Sequence, residues 1–145
     1  MSTSIIRVQD VMNNDFVEVD GLLTVEEAIK IMRERKAHSL IVQKRHENDE
    51  YGIVVLGDIA KRVLAKNRSI TRVNLYEIMT KPVITVRPDM DIKNCARLFD
   101  RFGLAGAPVC TNGTILGFVT YEEIVLNGLL TQALQEKSQP GGTSV

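Results

Sequence analysis

The chain has little cysteine, no surplus of charge of either sign, and no long apolar run. Its 145 residues include 2 cysteines, Cys95 and Cys110. Neither belongs to a CxxC pair or stands near a histidine at ligand spacing. Both therefore read as buried or free thiols of a reducing compartment, and no metal site is expected. Lys plus Arg number 18 and Asp plus Glu number 18, so the formal net charge is zero. No basic field exists to hold a phosphate backbone, which argues against nucleic-acid binding. The N-terminal Met1-Ser2-Thr3-Ser4-Ile5-Ile6-Arg7 lacks the apolar core of a signal peptide, and no stretch approaches the length of a membrane span. A soluble, cytoplasmic protein is expected. Catalytic patterns are missing too: there is no Gly-x-Ser-x-Gly, no His-Glu-x-x-His, and no Walker or dinucleotide glycine motif. The chain reads as a protein without catalysis of its own.

What is present occurs twice. Gly52-Ile53-Val54-Val55-Leu56-Gly57-Asp58-Ile59 and Gly117-Phe118-Val119-Thr120-Tyr121-Glu122-Glu123-Ile124 each run from a glycine through a short apolar stretch to an acidic residue. A strand leading straight into a helix presents the helix's unpaired N–H groups and positive dipole end at the turn. Such a turn suits an anionic ligand. An offset of 67 residues carries Asp10-Val11-Met12 onto Glu77-Ile78-Met79, Val25 onto Ile92, Ala28 onto Cys95 and Met32 onto Phe99. After Val42 and Val109 the first copy has two extra residues in its charged loop, and the offset becomes 65. A repeat of this kind sets the fold.

Each copy reads β-α-β-β-α. Phe16–Val19 and Val83–Val86 are short, β-branched strand candidates. Thr24 with Glu27 makes a capping box, ahead of an apolar stripe at Val25, Ala28, Ile29 and Met32. In the second copy Asp91 caps, Ile92, Cys95, Ala96 and Phe99 repeat the stripe, and Gly103 suits the helix end. Buried strands follow at Ser39–Val42 and Ala107–Cys110. The second copy then turns through Asn112-Gly113, whereas the first uses Gln43 to Glu50, a solvated loop. Helices are expected from Asp58 to Ala65 and from Glu122 to Leu130. The expected organisation is a first repeat over 9–66, a linker over 67–75, a second repeat over 76–131 and a disordered polar tail over 132–145.

The openings Asp10-Val11-Met12 and Glu77-Ile78-Met79, the Ala107-Pro108-Val109 strand and the Gly-apolar-apolar-Thr-x-x-acid ending together resemble the CBS-domain pair, or Bateman module, over Gln9 to Leu130. The resemblance is to a stand-alone pair. It implies an α+β fold of tandem CBS repeats packed around a pseudo-two-fold axis, and a homodimer. The dimer would use an apolar helix face of Val63, Leu64, Val125, Leu129 and Leu130. It also implies a regulatory sensor of an adenine-containing ligand (AMP, ADP, ATP or S-adenosylmethionine), with no cofactor required, acting on an unknown partner protein.

Carried over by position, the second cleft offers Val83, Ala107, Pro108, Thr120, Tyr121 and Glu123, and the first offers Phe16, Leu40, Ile41, Leu56 and Asp58. A carboxylate at the helix start can accept both ribose hydroxyls, a hydroxyl three residues earlier can hold phosphate, and apolar strand residues can sandwich adenine. Both clefts depart from the family pattern. Val55 stands where a hydroxyl is usual, and Glu123 replaces the usual Asp. Each acidic residue also has a reading without a ligand: Thr120 to Glu123 fits a capping box, and Asp58 suits a helix's first turn. That leaves a second function open, a ligand-free dimerisation or interaction module with degenerate clefts. Lys61, Arg62, Lys81 and Arg101 are candidate phosphate partners with a surface role as default. His38 and His46 read as structural or solvated, and Met12 and Met79 as core fillers.

Overall fold

A computed structural model describes residues 5–138, which form two compact units: one over 16–83, the other joining 5–15 to 84–138. The first unit is built on a three-stranded sheet in the order β1-β2-β3, where β1 is Glu18–Val19, β2 is Ser39–Val42 and β3 is Gly52–Val55. β1 runs parallel to β2 and β3 antiparallel to it. The helix between β1 and β2, Val25–Arg35, starts as its sequence dictates. Glu27 N–H donates to Thr24 Oγ1 at 3.2 Å, and Thr24 N–H donates to Glu27 Oε1 at 2.9 Å. Its stripe of Val25, Ala28 and Met32 is buried with Leu40, Val42 and Val54 in one apolar core. Removing such side chains from water is the main force holding the unit together, at about 1.5–3 kcal/mol for each fully buried Val, Leu or Met.

The segment expected to serve as a linker belongs to this core. Val73 and Leu75 are buried in it, and the carbonyls of Val73 and Ile70 accept the first-turn N–H groups of Val25 and Glu26 at 2.8 and 2.9 Å. The loop after β2 is not simply solvated either. The Asp49 side chain is only 8% exposed and accepts from Lys81 Nζ at 2.7 Å and from the Arg45 backbone N–H at 2.9 Å.

In the second unit β4, Gly106–Thr111, pairs antiparallel with β5, Thr114–Thr120, through a tight turn with both Asn112 and Gly113 at positive φ. Val83 to Val86 is not a strand. Only Val86 bridges to β4, donating to Pro108 O at 3.0 Å and accepting from Cys110 N–H at 2.9 Å. The helix Ile92–Phe102 is capped by Asp91, whose Oδ1 accepts from Lys93 N–H at 2.8 Å, and ends at Gly103 with φ +65°. Ile92, Cys95 and Phe99 are buried with Val109 and Val119.

Each repeat's opening segment completes the unit built on the other repeat. In the second unit Asn13 exchanges backbone hydrogen bonds of 2.8 Å with Phe118, at the edge of β5. In the first, Thr80 exchanges bonds of 2.9 Å with Ile53 of β3. This crossing explains the repeated glycine. A Cβ on Gly117 would lie 2.8 Å from Asn13 O and 3.0 Å from Met12 Sδ, and one on Gly52 would lie 2.7 Å from Met79 Sδ. The acid of each opening locks its own turn: Arg7 N–H donates to Asp10, and Asn74 N–H to Glu77, both at 2.8 Å.

Both closing helices differ from expectation. The first begins at Leu56, with an α-turn over Leu56–Ile59, and continues as a π-helix over Ala60–Leu64. Val63, expected on the free face, is fully buried, while Leu64 is exposed. The second closing helix has a π stretch over Glu123–Leu129 and continues as an α-helix over Leu130–Ser138. The tail is therefore helical as far as Ser138, and its remaining residues, 139–145, lie outside the described ones. Val125, Leu126, Leu129, Leu130 and Leu134 stand exposed along this helix.

Candidate functional site

The sheet register brings the first cleft's residues to one end of the first unit. Ser39 is opposite Val55, and Ile41 N–H donates to Val17 O at 2.9 Å, so Phe16 lies beside the start of β2. Leu40 and Ile41 are buried, Phe16 is half-buried and Leu56 is half-exposed. Leu56 N–H donates to His38 O at 3.1 Å, which ties the mouth of β2 to the helix start. Asp58 Oδ2 accepts from Val55 N–H at 2.9 Å, and its Oδ1 stands 4.0 Å from Arg62 Nε. Arg62 is held in place by donating to Ile78 O at 3.0 Å. Of the candidate phosphate partners, Arg62 is thus the one paired with a site carboxylate. A cavity of about 470 Å³ lies beside Leu56, lined also by Met32, Lys36 and His38 of the preceding helix and loop; Asp58, Phe16, Leu40 and Ile41 are not part of its lining. His38 is a wall residue of this cavity.

In the second unit Ala107 and Pro108 are fully buried in β4, and Thr120 pairs across from Gly106. Glu123 Oε1 accepts from Thr120 N–H at 2.6 Å and from Thr120 Oγ1 at 2.9 Å, and Glu122 N–H donates to Thr120 Oγ1 at 3.2 Å. The hydroxyl and the carboxylate expected at the cleft are therefore bonded to each other. Both bonds to Glu123 end on Oε1, so its second carboxylate oxygen is not used in the cap. Tyr121 packs edge-on against Phe99, with ring centroids 5.4 Å apart. Val83 is not brought to these residues within one unit. It closes the first unit, where its N–H donates to Tyr51 O at 3.1 Å.

Chemically, each site offers a helix-start carboxylate beside an apolar strand pair. The second adds a hydroxyl, and the first adds a guanidinium that sequence reasoning left on the surface. The i, i+4 spacing of Asp58 and Arg62 was the available signal. Burial pushes the Cys95 thiol up to about 11, which places it outside any reactive role. Among the described residues, no group of three or more His, Cys, Asp or Glu side chains is placed to hold a metal ion. No helix of the described residues is long and apolar enough to cross a membrane.

Two repeats, the first β-α-β-β-α and the second without its opening strand, each with a hairpin that runs into a carboxylate-capped helix, define a tandem α+β repeat module. The model for the CBS domain matches residues 8–65 and 75–128. The chain belongs to the CBS domain family and carries two copies of the domain. A homoserine O-acetyltransferase of Methanosalsum zhilinae is 34% identical over 120 residues, which make up 82% of this chain and 23% of that protein. An uncharacterized protein of Methanopyrus kandleri is 29% identical over 122 residues, 83% of this chain and 61% of that one. The chain thus spans about a quarter of the enzyme relative's length. A hexameric CBS-CP12 protein from bloom-forming cyanobacteria superposes with a TM-score of 0.84 at 34% identity, over 95% of this chain and 78% of that one. The CBS domain pair of protein MJ0100, in complex with 5′-methylthioadenosine and S-adenosyl-L-methionine, superposes with a TM-score of 0.72 at 28% identity. That match covers 83% of this chain and 98% of that one.

Proposed function

We propose that this CBS pair is a cytoplasmic regulatory sensor of an adenine-containing ligand that acts on a partner protein, without catalysis of its own. The observation that carries the reading is a helix-start carboxylate beside accessible apolar side chains in each unit: Asp58 with Phe16 and Leu56, and Glu123 with Tyr121. The carboxylate takes the ribose hydroxyls, and these apolar side chains cover the base. Support for the ligand class comes from the adenosine-type molecules bound to the MJ0100 pair. Support for action on another protein comes from the longer enzyme relatives, in which the matching stretch is a minor part. The exposed leucines of the last helix supply a self-association face, in keeping with a homodimer. Ligand binding transmits a signal only if it favours one arrangement of the module over another.

A second reading, a ligand-free interaction module, is favoured by the short Thr120–Glu123 latch, which satisfies its own polar groups. Thermal unfolding against AMP, ADP, ATP, S-adenosylmethionine, 5′-methylthioadenosine and GTP separates the two. A ligand at about 100 times its Kd adds roughly 2.7 kcal/mol. A rise in midpoint with adenine compounds and none with GTP is the expected result. No rise with any of them would favour the second reading.

A further inference from the structure

The loop that follows β2 builds a feature that the nucleotide reading does not use. At the hairpin end of the first unit, away from Asp58, lies a cavity of about 760 Å³. That volume falls within the range of sites that enclose small organic molecules. One wall is apolar, formed by Leu22, Val42, Tyr76 and Met79, and the rim carries Lys44, Arg45 and Lys81. Leu22 is 71% exposed and Tyr76 51%, so the wall presents a leucine and an aromatic ring to solvent. An apolar ligand body seated there takes both out of water.

The rim is organised by Asp49. Lys81 Nζ approaches both its oxygens, at 2.7 and 2.8 Å, and Arg45 Nε donates to it at 3.1 Å. Because Arg45 spends its Nε there, its two terminal amino groups are not part of that pair and retain the fork geometry that fits a carboxylate. Lys44 is held by its ammonium over the Tyr51 ring, 4.9 Å from the centroid. Three lining cations face two lining carboxylates, Asp20 and Asp49, which leaves a net charge of +1. Asp20 is itself engaged, its Oδ1 accepting from Leu22 N–H at 2.9 Å. A single surplus positive charge beside an apolar wall complements a monoanion with an apolar body, and it fits a polyphosphate poorly.

From this geometry we infer a second ligand site, distinct from the nucleotide clefts, that takes a small aryl or alkyl monocarboxylate. The acid head meets Arg45 and Lys81, and the apolar body lies against Leu22, Tyr76 and Met79. The site belongs to the first unit, where the first repeat's charged loop meets the second repeat's opening residues Tyr76, Met79 and Lys81; at the matching hairpin the second unit has only the Asn112-Gly113 turn. It does not depend on either nucleotide cleft being functional.

The test is a two-dimensional 1H–15N titration of the full chain with phenylacetate, and with phenylacetamide as the uncharged control. Phenylacetate is expected to shift the amides of Gly21, Leu22, Lys44 and Arg45 saturably, with phenylacetamide at least about tenfold weaker. Leu22→Asp replaces an exposed side chain, so it should leave the rest of the spectrum in place while weakening phenylacetate by about tenfold or more. The Asp58→Ala, Glu123→Ala double variant should bind phenylacetate as wild type does, which separates this site from the nucleotide clefts. The inference is overturned if phenylacetate gives no saturable shifts at these amides, if phenylacetamide binds equally, if Leu22→Asp has no effect, or if the double variant loses binding.

Discussion

Replacing Gly117 by alanine tests the crossing of each opening segment over the other repeat's glycine. The added Cβ would sit 2.8 Å from Asn13 O, a carbonyl fixed by its hydrogen bond from Phe118 N–H, and 3.0 Å from Met12 Sδ. A backbone oxygen in a ladder cannot move aside without losing that bond, so the strain falls at the upper end of the overpacking range, about 2–3 kcal/mol. Loss of glycine's freedom in the unfolded chain returns about 0.4–1 kcal/mol. The net cost is then about 2 kcal/mol, a fall in Tm of about 4–8 °C for a chain of this size. Gly52→Ala is the matched control. Its closest neighbour is Met79 Sδ at 2.7 Å, while Thr80 O stands back at 3.3 Å. A thioether end can change rotamer for about 0.5–1.5 kcal/mol, which the unfolded-state gain largely offsets. Urea unfolding of the two variants, compared at unchanged m-value, should rank Gly117→Ala clearly below Gly52→Ala. Equal stabilities, or the reverse order, would refute the reasoning.

Further outcomes follow from the same geometry. A thiol-labelling reagent should modify half-buried Cys110 in the folded protein and reach Cys95 only on unfolding, since burial raises the latter's pKa to about 11; comparable labelling of both in native buffer would contradict the packing around Cys95. Asp49 is held far below the usual carboxylate range, first by its hydrogen bond from Lys81 and then by the Arg45 N–H. Its folded pKa is depressed, so its contribution is complete above the unfolded value of about 3.9 and is lost as pH falls below that value. The stability gap between wild type and Asp49→Asn should therefore be widest near neutrality and narrow below about pH 4; a gap that stays constant would show that the ion pair contributes nothing. Thr24→Ala removes the cap on Glu27 N–H and should cost about 1 kcal/mol, read from the urea midpoint.

The sequence patterns that proved legible were those with a local cause. Thr24 with Glu27, Asp91, and Gly103 at positive φ are set by hydrogen bonds or steric limits within one turn of chain, and the stripes they delimit face their cores. The tandem repeat located both strand-to-helix turns to within two residues, because the same spacing from glycine to acid recurs at both. What was hidden depends on partners distant in sequence or on helix geometry. Equivalence between Met12 and Met79 cannot reveal that each packs against the other repeat's glycine, since the offset is satisfied either way. Val63 is grouped with Leu64 in the expected free face, yet it lies four residues past Ile59, on the side of the helix that packs into the core. The charged loop looked solvated because Asp49 is one of several charges there, and its partner Lys81 lies 32 residues away. The polar composition after Leu130 suggested disorder, yet the helix begun in the π stretch continues through Ser138.

For the clefts, the residue types were legible and their mutual bonding was not. Thr120 and Glu123 were visible both as a cap and as ligand groups, and the structure joins them at 2.6 and 2.9 Å without a ligand. A bound ribose must then compete with, or share, the Glu123 carboxylate. Asp58 gives one oxygen to the Val55 amide and has the other 4.0 Å from Arg62 Nε, so its pairing leaves both oxygens partly engaged as well.

The measurement that bears most directly on the sensor reading is isothermal titration of S-adenosylmethionine and AMP into the wild-type chain and into Asp58→Ala, Glu123→Ala and the double variant. The expected result is saturable binding of at least one adenine ligand by wild type, weakened by about tenfold or more when the carboxylate of the occupied cleft is removed. It should be absent in the double variant, which should remain folded with only cap-sized losses of stability. Binding that survives in the double variant at wild-type affinity, or no binding by the folded wild-type chain, would contradict it.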